Sequence, residues 1–534
     1  MTKRLFALLM MLVLILAACA SKETDDGTLA LLDMPYKLID ASRVTVSHFD
    51  FGEGDLRNVL GNPVPCPLAG IIAAPDGTGP YPLVFIFHGL KNVEDIYDPV
   101  YLGFDYLVRQ LAAEGYVAVS INVNIEYHCW DYGEPIPVYD WAYQVYAQNM
   151  ALLERANAGL ESDHGIDLRG KIDFDQIHLM GHSRGGEMID MFYRYEQDEG
   201  KNRIRSLLHI APGFLPENEP HPDVPTGIIL GEYDGDVRED GQLLYDTVRK
   251  QPERTAPVSF VWLRGANHAF FNREFTWDDA GNDKRPQEKR LTREQQEDFM
   301  MHYAAAFLSV FSKGSEPFGT WNPLEPQPVT MFGYAVTASS CIPGGQVYAA
   351  LNETDWNIDT NDAVSYDRII KTFDDDILFK HPGANMNIGT LELYSIRWTE
   401  SGGAVYFPAG DFSSYNALTL YIAVDSSDDL NPKGEDQSFT VMLSDANGAV
   451  QSVLVPKGTS ALAWYDGSEL LIEEWDGSTT RIWDGFMPLG GLRIPLALFD
   501  KVDLALVYEI ALIFDQTSSG AVMLSGIYLE DCFP

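Results

Sequence analysis

The sequence predicts an α/β region followed by an all-β one: a doubly covered, mostly parallel sheet over residues 44–313, then a jelly-roll-like β-sandwich over residues 330–534. Three observations predict it. Short apolar runs alternate with segments of helical spacing through the first region, the pattern of βαβ units whose parallel sheet is buried on both faces. A Pro- and Gly-rich stretch, residues 314–329, interrupts that pattern and reads as a linker between domains. Beyond it come short strand-like runs separated by Asp/Gly/Ser/Asn-rich turns, with no long helical stretch, which is the sandwich pattern.

The elements follow in order. Residues 1–18 read as a leader: Lys3 and Arg4 are positive, residues 5–16 are apolar and uncharged, and Leu16-Ala17-Ala18 precedes Cys19. Small residues directly before a cysteine resemble the bacterial lipoprotein signal. The apolar run is short of the ~20 residues that span a bilayer. Export is therefore expected, with attachment to the cell envelope only through lipid on Cys19, and residues 19–43 serve as a tether. Strands are expected at 44–51, 68–74, 83–87, 116–123, 176–180, 206–210, 227–230 and 258–263. Helices are expected at 104–115, 141–160, from the glycines at 185–186 through Tyr195, 241–250 and 291–311. In the second domain the expected strands are 417–424, 438–444, 450–455, 492–498, 507–514 and 522–529. No internal repeat is visible.

Composition narrows the classes. Hydrophobic residues make up 46% of the 534, so the chain folds rather than remaining disordered. Asp and Glu number 78 against 37 Lys and Arg, a net charge of −41, and loss of Lys3 and Arg4 makes it −43. A surface that acidic repels phosphate backbones, so nucleic acid is excluded as a partner, and the charge reads as a solvated exterior. Besides Cys19, four cysteines remain after the leader. Pairing within each half, Cys66 with Cys129 and Cys341 with Cys532, is preferred to free buried thiols.

Gly181-His182-Ser183-Arg184-Gly185 matches G-x-S-x-G, with a strand before it and a helix after it. Such a turn is too tight for side chains beside the serine and lifts its hydroxyl to the rim of the sheet. A phosphate-binding turn is disfavoured, because G-x-x-x-x-G-K-[ST] is absent. A serine hydroxyl needs a base. His268, just past the last expected strand of the region, stands where one belongs, and the other histidines fall in strands, helices or earlier loops. The acid that orients the imidazole is expected at Asp234, in the cluster Gly231-Glu232-Tyr233-Asp234-Gly235-Asp236, with Asp236 as its rival. The Arg184 N–H, next to the nucleophile, is one expected oxyanion donor.

Four segments carry a family resemblance: residues 81–89, ending Phe87-His88-Gly89; Gly181-His182-Ser183-Arg184-Gly185-Gly186; Gly231-Glu232-Tyr233-Asp234; and Gly265-Ala266-Asn267-His268. With them residues 44–312 resemble the α/β-hydrolase superfamily, in its chlorophyllase-like, dienelactone-hydrolase-like and polyester-hydrolase-like branch. The order Ser183, Asp234, His268 is the order of that superfamily. By the match of His88-Gly89-Leu90 to its oxyanion segment, the second donor is the Leu90 N–H, and His88 shapes the loop. The aromatic residues usual in polyester hydrolases are missing: Ala211-Pro212-Gly213-Phe214 and Leu90 stand in their places. The connection 212–224 is too short for a cap domain. The aromatic segment 127–146 either lines an acyl pocket or packs helices.

The resemblance implies a serine esterase, lipase-like, that cleaves small-molecule or polymeric esters and requires no metal or cofactor. Its rivals are a peptidase or acyltransferase using the same residues, and a surface carbohydrate-binding protein whose hydrolase domain is inert. In the sandwich, Trp398, Trp464, Trp475 and Trp483 either stack on sugar or fill the core, and the run 425–429 reads as a solvated turn rather than a calcium site.

Overall fold

The computed structural model describes residues 27–531 except 92–94, 134–136, 138, 161–162, 214–219, 239, 252, 282, 284, 343–345, 351–358, 373–389, 474–478 and 485–486. Cys19 and the leader lie outside the described residues.

The strands of the first half are β1 (Leu32–Met34), β2 (Ser47–Glu53), β3 (Pro67–Ala73), β4 (Tyr81–Phe87), β5 (Val117–Ile121), β6 (Ile172–His182), β7 (Ile204–Ile210), β8 (Thr226–Gly231) and β9 (Val258–Leu263). Two more, β10 (Pro328–Met331) and β11 (Tyr334–Cys341), follow the expected linker. All eleven form one sheet in the order β1-β10-β11-β9-β8-β7-β6-β4-β5-β3-β2. Its middle, β9 to β5, is parallel; β2 and β3 on one flank and β11 on the other pair antiparallel, and β10 pairs antiparallel with β11 and parallel with the edge strand β1.

The helices are α1 (Asp105–Ala113), α2 (Asp140–Asn157), α3 (Arg184–Asp198), α4 (Asp240–Arg249) and α5 (Arg293–Phe311), with one further turn at Cys129–Tyr132. Helix α5 starts where Thr292 and Gln295 cap each other reciprocally, each side chain taking the other's backbone N–H. Alternate residues of β4 enter opposite cores. Leu83, Phe85 and Phe87 meet Tyr146 of α2 and Phe192 of α3, while Val84 and Ile86 share a core with Leu107 of α1 and Phe299 of α5.

The expected doubly covered, mostly parallel α/β fold is corrected by these observations. Among the described residues strand outweighs helix, the large sheet is mixed, and there are too few helices to cover both faces of eleven strands. The physical reason lies in the second half of the chain. It adds β10 and β11 to the large sheet, and it lays Tyr421, Ala423, Met487, Leu489 and Met523 into the same core as α1 and α5.

The remaining strands are β12 (Gln346–Ala350), β13 (Asp359–Thr360), β14 (Val364–Thr372), β15 (Thr390–Trp398), β16 (Gly403–Pro408), β17 (Ala417–Val424), β18 (Phe439–Asp445), β19 (Val450–Val455), β20 (Ser468–Glu473), β21 (Thr479–Asp484), β22 (Gly490–Pro495), β23 (Val507–Phe514) and β24 (Gly520–Glu530). They make a six-stranded antiparallel sheet, β14-β15-β24-β17-β22 with β12 on β24, and a five-stranded one, β13-β16-β23-β18-β19. Strands β20 and β21 form a separate hairpin. Leu418, Leu420 and Ile422 of β17 and Val441 and Leu443 of β18 share one core, so the two sheets have β-sandwich character.

Trp398 and Trp464 are buried, Trp398 stacked on Phe514 with ring centroids 4.1 Å apart, so both fill the core. Trp475 and the Trp483 side chain lie outside the described residues. Asp425 bonds the Ser427 backbone, and Asp428 pairs with Arg397.

The preferred disulfides are also corrected. Cys66 is a buried free thiol beside the Gln148 amide, and Cys341 is a free thiol at the end of β11. The side chain of Cys129, and Cys532, lie outside the described residues.

Candidate active site

Strand β6 runs straight into the turn that carries Ser183. The serine is the N-cap of α3, with φ 56° and ψ −128°, a left-handed conformation that costs energy for any residue with a side chain. The turn is crowded. A Cβ on Gly185 would stand 2.5 Å from the Phe87 carbonyl oxygen, and one on Gly89 would stand 2.4 Å from Ser183 Cβ. Only glycine therefore fits at 185, and the loop after β4 lies directly against the nucleophile. Ser183 is 5% exposed. Its backbone is held by the N–H donated to Ile210 O at 3.0 Å, and its carbonyl accepts from Gly186 N at 2.8 Å.

The amides of Leu90 and Arg184 both border this turn. Among the described residues neither donates to a protein acceptor. Arg184 opens a helix of 15 residues, whose free N–H groups and dipole favour negative charge at this point. His88 is a loop-shaping residue by its contacts: Nδ1 bonds the Gly89 carbonyl at 2.9 Å and Nε2 accepts from Val123 N at 3.1 Å. Burial pushes its ring down to about 4, so it stays neutral. Tyr127 donates to the His88 carbonyl at 2.9 Å, whereas Trp141, Tyr143 and Tyr146 of the aromatic segment are core residues.

His268 follows β9 across the turn at Gly265. Its Nδ1 lies 2.9 Å from Asp234 Oδ2, and both side chains are fully buried. The other oxygen of Asp234 accepts three backbone N–H groups, from Asp236 at 2.9 Å, Val237 at 2.9 Å and Arg238 at 3.0 Å. Those bonds fix the carboxylate, so it can only point one way. Asp236 does not take this position. It is exposed, and its Oδ2 lies 3.5 Å from the opposite nitrogen, Nε2. Among the described residues Nε2 makes no hydrogen bond, to Ser183 Oγ or to any other atom. Such contacts are often long in the resting state and tighten around substrate.

Burial alone would push the His268 imidazole down, yet the carboxylates of Asp234, Asp236 and Asp279 together push it up to about 9. The elbow residue His182 lies beneath it, rings 4.7 Å apart, with Nε2 3.1 Å from the His268 carbonyl. Burial, first, and the His268 charge hold His182 well below the usual histidine range.

Sequence reasoning missed two groups here. Asp279 accepts backbone N–H groups from Gly235, His268 and Ala269. Glu187, one turn along α3 from Ser183, bonds the Tyr139 hydroxyl, and burial raises its carboxyl above the usual range. Neither carries a motif. The sole sequence signal for Glu187 was its place four residues after Ser183. Among the described residues no cluster of three or more His, Cys, Asp or Glu side chains is arranged to hold a metal ion, and no helix is long and apolar enough to cross a membrane. No protein-family model matches the chain, and no curated protein matches it.

Proposed function

We propose that the protein is a serine hydrolase that cleaves carboxylic esters. The observation that carries this reading is the buried His268–Asp234 pair at 2.9 Å, its imidazole 4.7 Å from the ring of His182, the residue before a serine held in a left-handed elbow at a helix N-terminus. In the reaction His268 Nε2 takes the Ser183 proton as Oγ bonds to the ester carbonyl carbon. The Leu90 and Arg184 amides receive the resulting oxyanion. Collapse breaks the bond to the leaving oxygen, which departs with the proton from His268, and leaves an acyl-serine. Water, deprotonated by the same imidazole, attacks the acyl carbon and frees the acid and Ser183. The likeness of the four motif segments to chlorophyllase-like and dienelactone-hydrolase-like esterases supports an ester as substrate.

A fluorophosphonate probe labels the wild-type chain and does not label Ser183→Ala. A wild-type chain that resists the probe overturns the reading.

The histidine makes a pH prediction. A base must be neutral to accept a proton, and this imidazole is raised to about 9. Measured kcat/KM therefore falls as pH drops below about 9, approaching tenfold per pH unit. For stability the sign is opposite. The His268–Asp234 attraction is fully present below the ordinary histidine value of 6.5 and is lost as pH rises through about 9. A pH–rate profile whose acid limb lies near 6.5 contradicts this account of the site.

We also propose export and lipidation at Cys19, a reading that rests on the sequence of residues 1–19. Expression in a bacterium fed a labelled fatty acid tests it: label enters the wild type and not Cys19→Ala.

A further inference from the structure

We propose that Asp279 is a positioning residue that staples the loop of the catalytic acid to the loop of the catalytic base. The proposal rests on the serine-hydrolase reading of Ser183, Asp234 and His268. Asp279 lies 11 residues beyond His268 in the same connection between β9 and helix α5, past the short turn Ala269–Phe271. Its Oδ2 accepts the N–H of Gly235 at 2.8 Å and of His268 at 3.0 Å, and its Oδ1 accepts the N–H of Ala269 at 2.9 Å. Gly235 directly follows Asp234. One carboxylate thus joins the two backbones, while the imidazole–carboxylate bond joins their side chains.

The docking is close. A Cβ on Gly235 would stand 2.5 Å from the Asp279 carbonyl oxygen. An ionised carboxylate is the side chain that accepts from three donors with two oxygens, and its bonds to backbone N–H are of the stronger, charge-assisted kind. Burial, and then the neighbouring charge of Asp234, push Asp279 above the usual carboxylate range, so keeping it here costs stability. A half-buried carboxylate held at that cost, on these three donors, sets the distance between Asp234 and His268.

The charges around the imidazole come from three segments. Asp234 and Asp236 face it from the loop after β8, Asp279 from further along the β9–α5 connection, and His182 lies beneath as a neutral ring. Asp278, next in the chain, is bonded to Arg290 and Asn267.

Asp279→Asn keeps the shape, removes the charge and can satisfy at most two of the three donors. Asp279→Ala removes all three acceptors. In the full chain with its histidines isotopically labelled, the NMR titration midpoint of His268 falls by about half a pH unit or more in Asp279→Asn. With ester substrate, kcat per fluorophosphonate-titrated serine falls about 10- to 100-fold in either variant, with KM little changed. A residue that only held the fold would reduce the number of titratable serines and leave the midpoint and the per-site kcat alone. That result in Asp279→Asn overturns the proposal, and a drop in both supports it. If the wild type itself takes no probe, the hydrolase reading falls, and the His268 midpoint alone decides whether Asp279 acts on the imidazole.

Discussion

Asp234→Ala lowers kcat for ester hydrolysis by roughly 10⁴-fold, whereas Asp236→Ala lowers it by less than about tenfold. The difference follows from which nitrogen each carboxylate meets. Asp234 bonds Nδ1, so the proton on that atom is fixed and Nε2 is left as the basic one. Without it the ring loses both its tautomer and its counter-charge inside a fully buried site. Only Asp236 and Asp279 then oppose burial, and the imidazole midpoint falls from about 9. Asp236 stands at Nε2, the nitrogen that must face Ser183, and its side chain is 58% exposed. Removing it takes away one charge that holds the proton on the ring, so the acid limb of kcat/KM moves to lower pH. Steady-state kinetics of the two variants across pH 6–10, on equal concentrations of probe-titrated enzyme, separate the two roles. Loss of activity in Asp236→Ala alone would assign the acid the other way.

These residues also show how far the site was legible in the sequence. The elbow was legible because its geometry is written in glycines: 185 and 89 have carbonyl or side-chain atoms where a Cβ would go. His268 was legible because it stands one turn past an apolar run, and β9 ends where that run ends. Asp234 and Asp236 share one turn, and no spacing rule separates them. The separation comes from three amides that wrap Asp234 Oδ1. Asp279 acts by docking the far part of the β9–α5 connection on the turns that carry His268 and Asp234, and such docking leaves no periodic trace.

The fold was legible strand by strand but not as a whole. Most elements between residues 68 and 311 lie near their expected places, since apolar runs set strands and amphipathic runs set helices. The proportion of helix, the mixed pairing of the sheet and the fate of the linker depend on long-range contacts. Strand β11 sits beside β9 because of a ladder formed by residues far apart in the chain. An even count of cysteines likewise suggested pairs, yet Cys66 is enclosed beside Gln148 and remains a thiol.

Cutting the chain at residue 313, the end of the region expected to be self-sufficient, yields an insoluble product. Every residue of β9 is buried, and β11 covers its outer edge in register from Val336 on Leu263 to Cys341 on Val258. Without β11 an apolar strand becomes a sheet edge, the arrangement that pairs with other chains. Trp321, buried and donating to Ser259 Oγ at 3.1 Å, is lost with it. Keeping β10 and β11 but ending at residue 342 does not rescue folding. Arg249 of α4 would lose Tyr528, 2.6 Å from its guanidinium, and the Tyr421 ring 4.3 Å beneath it, and the apolar core that Tyr421, Ala423, Met487, Leu489 and Met523 complete would open to water. A single change tests the same joint in the intact chain. Arg493 of β22 is fully buried; it pairs with Glu530 at 2.9 Å and donates to the Thr320 and Asn322 carbonyls and to Ser340 Oγ. Arg493→Ala strands the Glu530 carboxylate and three acceptors at the junction, and unfolding by denaturant shows a loss of about 3–5 kcal/mol. Arg493→Met, which fills the space without the charge, loses less if Glu530 is changed to Gln or Leu as well. A sandwich that were a detachable module would give a soluble, probe-reactive chain ending at 313 and an Arg493→Ala variant that unfolds like the wild type.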